Sequence, residues 1–197
     1  PFELVRSGII FKPYPSGAPS HAAIDCALAL VERVKPGDIA SIECLVHPWN
    51  AITLREEPPR NPLQAKVNMR FCVAAAFAHR KVNYAEFTDS ALADPLIKRL
   101  MDLITIRISE DLPDNGEFPA EVHVTRTDGA IERERRDVPR GGSSVPLSQI
   151  ELENKYRDCA NSVLDTARAE IIPPLVERLE SLPNVEDLAR AMEGSIR

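Results

Sequence analysis

No apolar run in this chain approaches the roughly 20 residues that cross a bilayer, and the first residues lack the basic, apolar and small-residue order of a secretory signal. Membrane insertion and secretion are therefore disfavoured, and a cytoplasmic location is expected. Cysteine is scarce and scattered. Cys26, Cys44, Cys72 and Cys159 form no Cys-x-x-Cys pair, so spacing suggests neither a zinc ribbon nor an iron-sulfur cluster. Cys44 alternates with Ile42 and Val46, and Cys26 falls in a helical pattern, so reduced, buried thiols are expected. His47, His79 and His123 do not sit at metal-ligand spacing, and neither a His-Glu-x-x-His helix nor an acidic calcium loop occurs, so no metal is expected. Positive charge is also in deficit: 24 Lys and Arg against 30 Asp and Glu leave a net charge of −6, which argues against a nonspecific nucleic-acid binder. It leaves room for a small anionic ligand, which needs only local positive charge. There is no phosphate loop, dinucleotide fingerprint or nucleophile elbow, and no cofactor is expected.

What is present suits a folded chain. With 197 residues, 44% hydrophobic and 27% charged, it can bury a real core, and neither disorder nor an internal repeat is indicated. The organisation predicted is an α+β domain over residues 1–145 and a helical segment over 146–197. Phe2 to Ser7 reads as an element already under way, which suggests a piece of something longer. Gly8 to Phe11 is a short strand or an extended entry. His21 to Val34 places Ile24, Ala27, Leu28, Val31 and Val34 on one helical stripe, stopped by Lys35-Pro36-Gly37-Asp38. Ile39 to His47 alternates as a half-buried strand, and the four prolines between Pro48 and Pro62 predict a surface loop. The alanine-rich run Leu63 to His79 predicts one closely packed helix. Short helices are expected over Tyr84 to Phe87 and from Pro95 onward, with the proline at the first helical position.

Ile104, Ile106 and Ile108 alternate as a strand, and Asp128-Gly129 marks a hairpin between Glu121–Thr127 and Ala130–Asp137, so an antiparallel meander is expected. Ser148-Gln149-Ile150-Glu151 is a capping box opening a helix to about Ala169, with two further helices begun by Pro173-Pro174 and by Asn184. The fold predicted is thus a mostly antiparallel sheet with helices packed on it, followed by C-terminal helices. Arg126, Arg133, Arg135, Arg136 and Arg140 gather around the hairpin among Glu132 and Glu134. They could guide a polycarboxylate, but read more simply as a solvated charged edge that resists edge pairing.

The segment with most chemical content is Phe11-Lys12-Pro13-Tyr14-Pro15-Ser16-Gly17-Ala18-Pro19-Ser20-His21. Its prolines stiffen a turn that runs into a helix, Gly17 permits backbone conformations closed to other residues, and Ser20 stands where an N-cap should stand. Lys12 beside such a helix end could bind a carboxylate, stabilise an enolate or act as a base. Otherwise it is a solvated lysine. His21 could shuttle a proton or donate to a carboxylate, or simply pack in the first turn. Tyr14 and Ser16 could bind substrate through their hydroxyls, or serve only the turn.

Phe-Lys-Pro-Tyr-Pro-Ser-Gly followed by Ser-His-Ala-Ala-Ile-Asp resembles the opening of the C-terminal domain of the MmgE/PrpD family, which includes 2-methylcitrate dehydratase, iminodisuccinate epimerase and cis-aconitate decarboxylase. Asn61-Pro62-Leu63-Gln64-Ala65-Lys66 before Phe71-Cys72-Val73, Phe87-Thr88-Asp89 to Asp94-Pro95, Asp128-Gly129 and Pro146-Leu147-Ser148 follow in the family's order over nearly the whole chain. The resemblance implies proton removal or addition next to a carboxylate of a small polycarboxylate, with Lys12 at the position of an active-site lysine; beside it His21 is expected to be catalytic, and Tyr14, Ser16 and Gly17 are expected at the substrate. It also implies a homodimer and a helical N-terminal domain, absent from this chain, on which residues 146–197 would pack. A dehydratase comes first; an epimerase, a decarboxylase, or a noncatalytic lid or dimerisation module are the alternatives. Two departures stand out. Some members carry His or Cys where this chain has Gly17, and related enzymes carry tyrosine where this chain has Phe71.

Overall fold

The computed structural model describes Phe2 and residues 8–53 and 57–193. Most of the element expected over Phe2 to Ser7 lies outside the described residues. The chain divides into two compact units, Pro1–Leu147 and Ser148–Arg197.

The first unit is built on a four-stranded sheet: β1 Ile39–Val46, β2 Ile104–Ile108, β3 Ala120–Arg126 and β4 Ile131–Arg136, in the order β2-β1-β3-β4. β1 pairs antiparallel with β3, placing Cys44 opposite Val122, and β3 pairs antiparallel with β4 through the expected Asp128-Gly129 hairpin. β2 departs from the expected meander. It lies parallel to β1, with Ile42 opposite Ile104 and Val46 opposite Ile108, because a long helical crossover separates them. The sheet is therefore mixed, two antiparallel pairings to one parallel.

Period-two alternation gives it one apolar face, where Ile42, Cys44, Val46, Ile104, Ala120, Val122 and Val124 are buried. The helices of the unit are α1 His21–Leu30, α2 Pro48–Thr53, α3 Pro62–Ala65, α4 Met69–His79, α5 Asp89–Ala93 and α6 Pro95–Asp102. α1 packs on β3, β4 and α4, and α4 packs in turn on α6 and β2. Small residues make this close approach possible, for Ala22, Ala23, Ala27, Ala74, Ala75 and Ala76 are all fully buried.

Local chemistry corrects several expected boundaries. α1 stops at Leu30, short of Val34, and the chain turns out toward Lys35, which is extended ahead of Pro36. The expected single helix Leu63–His79 is two: Asn61 caps the first by accepting from the Gln64 amide, and Asn68 restarts the second by accepting from the Phe71 amide. The loop from Pro48 contains α2. Tyr84–Glu86 is a 3-10 turn, with α5 after it capped by Thr88. Pro95 opens α6 as expected, with Asp94 accepting from the Leu96 and Ile97 amides. Gly8 to Phe11 forms no strand.

The second unit holds α7 Gln149–Ala160, α8 Thr166–Glu177 and α9 Glu186–Met192. The Ser148–Glu151 capping box is present. α7 ends at Ala160 rather than near Ala169, and Pro173 and Pro174 lie inside α8 rather than starting a helix. Asp165 explains both, since its side chain caps the Arg168 amide and launches α8 upstream of the prolines. Among the described residues, no helix is long and apolar enough to cross a membrane.

Candidate functional site

The turn that carries the sequence-predicted residues is fixed at four points. The Phe11 amide donates to the Gly141 carbonyl at 2.9 Å. The Tyr14 hydroxyl donates to Asp25 Oδ1 at 2.5 Å. The Gly17 amide donates to the Lys66 carbonyl at 2.7 Å, and the side-chain amide of Asn50 donates to the Pro19 carbonyl at 2.9 Å. Lys12 stands exposed between the first two points, its backbone held from both sides.

Behind the turn Tyr14, Ser16 and His21 are buried and mutually engaged. Tyr14 and His21 pack edge to face with ring centroids 5.3 Å apart. His21 Nε2 lies 3.3 Å from the Ser16 carbonyl. The Ser16 and Ser20 hydroxyls are 3.0 Å apart, and Ser20 Oγ donates to the Gly17 carbonyl at 2.8 Å. That last bond corrects the expected N-cap. A 3-10 turn, Ala18–Ser20, precedes α1, so the Ser20 amide is spent on Gly17 and the His21 amide on Ala18, and the Ser20 side chain turns back instead of capping. The helix end thus feeds the turn's own carbonyls rather than opening toward an anion. Gly17 also differs from expectation. It has φ −62° and ψ 132°, open to any residue, and an added Cβ would meet nothing nearer than the Lys66 carbonyl oxygen at 3.7 Å.

Two residues that sequence reading missed complete the arrangement. Arg140, grouped by sequence with the hairpin's solvated arginines, instead reaches α1: its Nε donates to Asp25 Oδ1 at 2.8 Å, its main-chain amide to Asp25 Oδ2 at 2.9 Å, and its Nη2 to the Tyr14 hydroxyl at 2.7 Å. The Asp25 side chain is only 2% exposed. Burial, and then the Asp25 charge, raise the Tyr14 phenol far above its usual range, so it stays protonated and donates. Burial works against the Arg140 charge, but Tyr14 and Asp25 more than offset it and hold the guanidinium above its usual value. An Asp inside an apolar helix stripe was the one signal that could have found this network.

Asn50 connects the turn to a cavity of about 350 Å³ lined by His47, Trp49, Pro113, Asp114, Gly116 and Phe118, since its amide also lies 3.4 Å from the Phe118 carbonyl. Phe118 has φ +52°, an unusual conformation for a bulky residue. Phe71 is fully buried, its ring 5.9 Å from that of Phe87, and brings no phenol to the site. His79 lies 3.3 Å from Glu86 Oε1 and 3.0 Å from Asp94 Oδ2, away from any metal-like cluster: among the described residues, no group of three or more His, Cys, Asp or Glu could hold a metal ion. All four cysteines are free.

Residues 14–181 match the family described as the MmgE/PrpD C-terminal domain. The chain belongs to the MmgE/PrpD family. Among curated proteins it is similar to cis-aconitate decarboxylase of Mus musculus, 24% identical over 198 residues, covering 97% of this chain and 41% of that protein. The Homo sapiens protein of the same name is 25% identical over 198 residues with the same coverage. A cis-aconitate decarboxylase-like protein of Aspergillus oryzae is 26% identical over 142 residues, 72% of this chain and 29% of that protein. The chain therefore spans about two-fifths of the length of the first two relatives, and the matched domain begins at Tyr14, within the turn and just after Lys12.

Proposed function

We propose that this chain forms part of a lyase acting on a small polycarboxylate, with Lys12 as the group that meets a substrate carboxylate. The observation that carries this reading is the construction of the turn: an exposed lysine whose backbone is tied on one side by the Phe11–Gly141 bond and on the other by the Tyr14–Asp25–Arg140 network. Solvated surface lysines need no such support. The similarity to cis-aconitate decarboxylases favours loss of CO₂ over the dehydration that the sequence alone put first.

In such a step the bond between carbon and carboxylate breaks, CO₂ leaves, and the electron pair stays on the carbon, delocalised toward a neighbouring carboxylate, until a proton arrives. An ammonium held against that carboxylate stabilises the charge as it develops. His21, buried behind Ser16 and packed on Tyr14, orients the turn. Tyr14 and Ser16 spend their hydroxyls inside the protein and act as its supports. Gly17 leaves its position open.

The test is proton NMR in D₂O of the protein in its full encoded length against citrate, 2-methylcitrate, cis-aconitate and iminodisuccinate, beside Lys12→Ala. Conversion of one acid, reduced about 10²-fold or more in the variant, is the expected result. The product separates loss of CO₂ from loss of water and from inversion. Turnover of none of the acids, or full activity in Lys12→Ala, overturns the reading.

A further inference from the structure

We infer that Asp25 and Arg140 are positioning residues for Lys12, a clamp that fixes where the lysine side chain leaves the backbone and hence where it meets the substrate carboxylate. The inference rests on the reading of Lys12 given above. Two adjacent residues do the gripping. Arg140 holds Tyr14 and Asp25 through its side chain and Asp25 again through its main-chain amide. Gly141 takes the Phe11 amide. The two grips fall on either side of Lys12-Pro13, and Pro13 fixes its own φ, so little backbone freedom remains at the lysine.

Glycine is obligatory at the second grip. Gly141 has φ +100°, and a Cβ there would lie 2.0 Å from the Phe11 carbonyl oxygen. The loop beyond is itself closed by the Gly141 amide on the Val145 carbonyl at 2.7 Å. Arginine rather than lysine suits position 140, because a planar fork reaches Asp25 and the Tyr14 hydroxyl at once. Stability alone does not call for this arrangement, since a well-packed apolar pair commonly serves as well as a buried ion pair. What the ion pair adds is a fixed geometry, and a displacement of about 1 Å at a reacting group lowers turnover by about 10²-fold.

The experiment is a double-mutant cycle in the full-length protein between Arg140→Lys and Lys12→Ala, using the acid that the panel identifies. Arg140→Lys is expected to lower kcat by about tenfold or more, to change KM by less than about threefold, and to lower kcat no further when Lys12 is already alanine. An unchanged kcat, or an effect that adds fully in the Lys12→Ala background, overturns the inference. A Lys12→Ala protein as active as the wild type instead overturns the reading of Lys12 itself, and this inference with it.

Amide hydrogen exchange reads the clamp without activity and decides where Lys12→Ala leaves no turnover to measure. In Arg140→Lys the Phe11 amide should exchange about tenfold faster or more while the amides of β1 keep their rates. Unchanged Phe11 exchange overturns the inference. Should β1 exchange faster as well, because the whole unit is loosened, both measurements are repeated with Tyr14→Phe, which removes a single hydroxyl from the clamp and is held to the same outcomes.

Discussion

Arginine meets carboxylate in two contrasting places in the first unit. At the sheet edge, Arg33 donates to Glu132 at 3.2 Å and to Glu134 at 3.0 Å, with its own side chain 43% exposed. At the lysine turn, Arg140 donates to an Asp25 that is almost wholly buried. The two arginines are exposed alike, for the Arg140 side chain is 39% exposed, and the difference lies in the carboxylates: Glu132 and Glu134 reach water, Asp25 does not. Water screens the edge pairs and would replace them at little loss, whereas nothing replaces the partner of Asp25 once it is gone. The edge cluster keeps β4, which has no fully buried residue, soluble and unattractive to another strand. The buried cluster holds one loop against one turn.

The comparison breaks most directly at Asp25. Asp25→Ala should destabilise the first unit by about 3 kcal/mol, because it takes the acceptor from the buried Tyr14 hydroxyl and the Arg140 main-chain amide, while the Arg140 side chain, 39% exposed, can turn to water. A urea midpoint measured against wild type checks this, and a shift no larger than that of an edge variant would erase the contrast.

The glycines sharpen it next. Gly141→Ala forces a Cβ onto the Phe11 carbonyl at a positive φ and should cost about 3 kcal/mol. Gly17→Ala has both room and an ordinary φ, and should be neutral or stabilising by about 0.4–1 kcal/mol through the unfolded chain. Thermal melts of the two variants side by side should therefore move in different directions.

Alkali should find the buried side and spare the edge. Burial pushes the Cys44 and Cys72 thiols up from 9.0 to about 12, with hydrogen bonds involving Ser20 and Ser16 lowering Cys72 in part. The Tyr14 phenol is raised as well. A group whose folded value is raised binds its proton more tightly in the native state. Its contribution is complete below the unfolded value and is lost as pH climbs toward the folded one. Stability should thus hold to about pH 9 and then fall by about 1.4 kcal/mol per pH unit for each thiol involved. Urea midpoints between pH 8 and 11 give the slope, and Tyr14→Phe should remove the phenol's share above about pH 10.

How far the sequence discloses all this depends on distance along the chain. The Asp128-Gly129 hairpin, Pro95 at a helix start and the Ser148 capping box are written within four residues and stand in the structure where the sequence puts them. The parallel pairing of β2 with β1 is not local. It depends on a crossover of more than fifty residues, whose described residues carry five helices, and alternation alone cannot give direction. At the candidate site the stiff turn around Lys12 is legible, but the clamp is not, because Asp25 and Arg140 are 115 residues apart: the aspartate in its apolar helix run hints at a buried partner, and nothing local says that the partner is Arg140. Ser20 misleads for the opposite reason: its local pattern is that of a cap, and the 3-10 turn ahead of it uses the same donors first.

The smallest effect is expected at Arg33. Its pairs with Glu132 and Glu134 bridge positions 99 and 101 residues apart, so they look structurally important on a contact map. Glu134 shows the balance of forces there. Its partial burial raises its carboxyl, but hydrogen bonds from Arg33 and Arg136 prevail and hold it below the usual carboxylate range. A group so depressed contributes stability above its unfolded value and loses it as pH falls through the folded one, so any contribution disappears in acid. Water and the entropy of ordering two long side chains offset most of the attraction. Arg33→Ala should therefore lower stability by less than about 1 kcal/mol. The difference from wild type should shrink further in about 1 M salt, where screening reaches within a few ångströms, and again in acid, as pH falls through the depressed Glu134 value. A larger, salt-independent loss would show that Arg33 acts by packing its stem against β4 rather than through its charge.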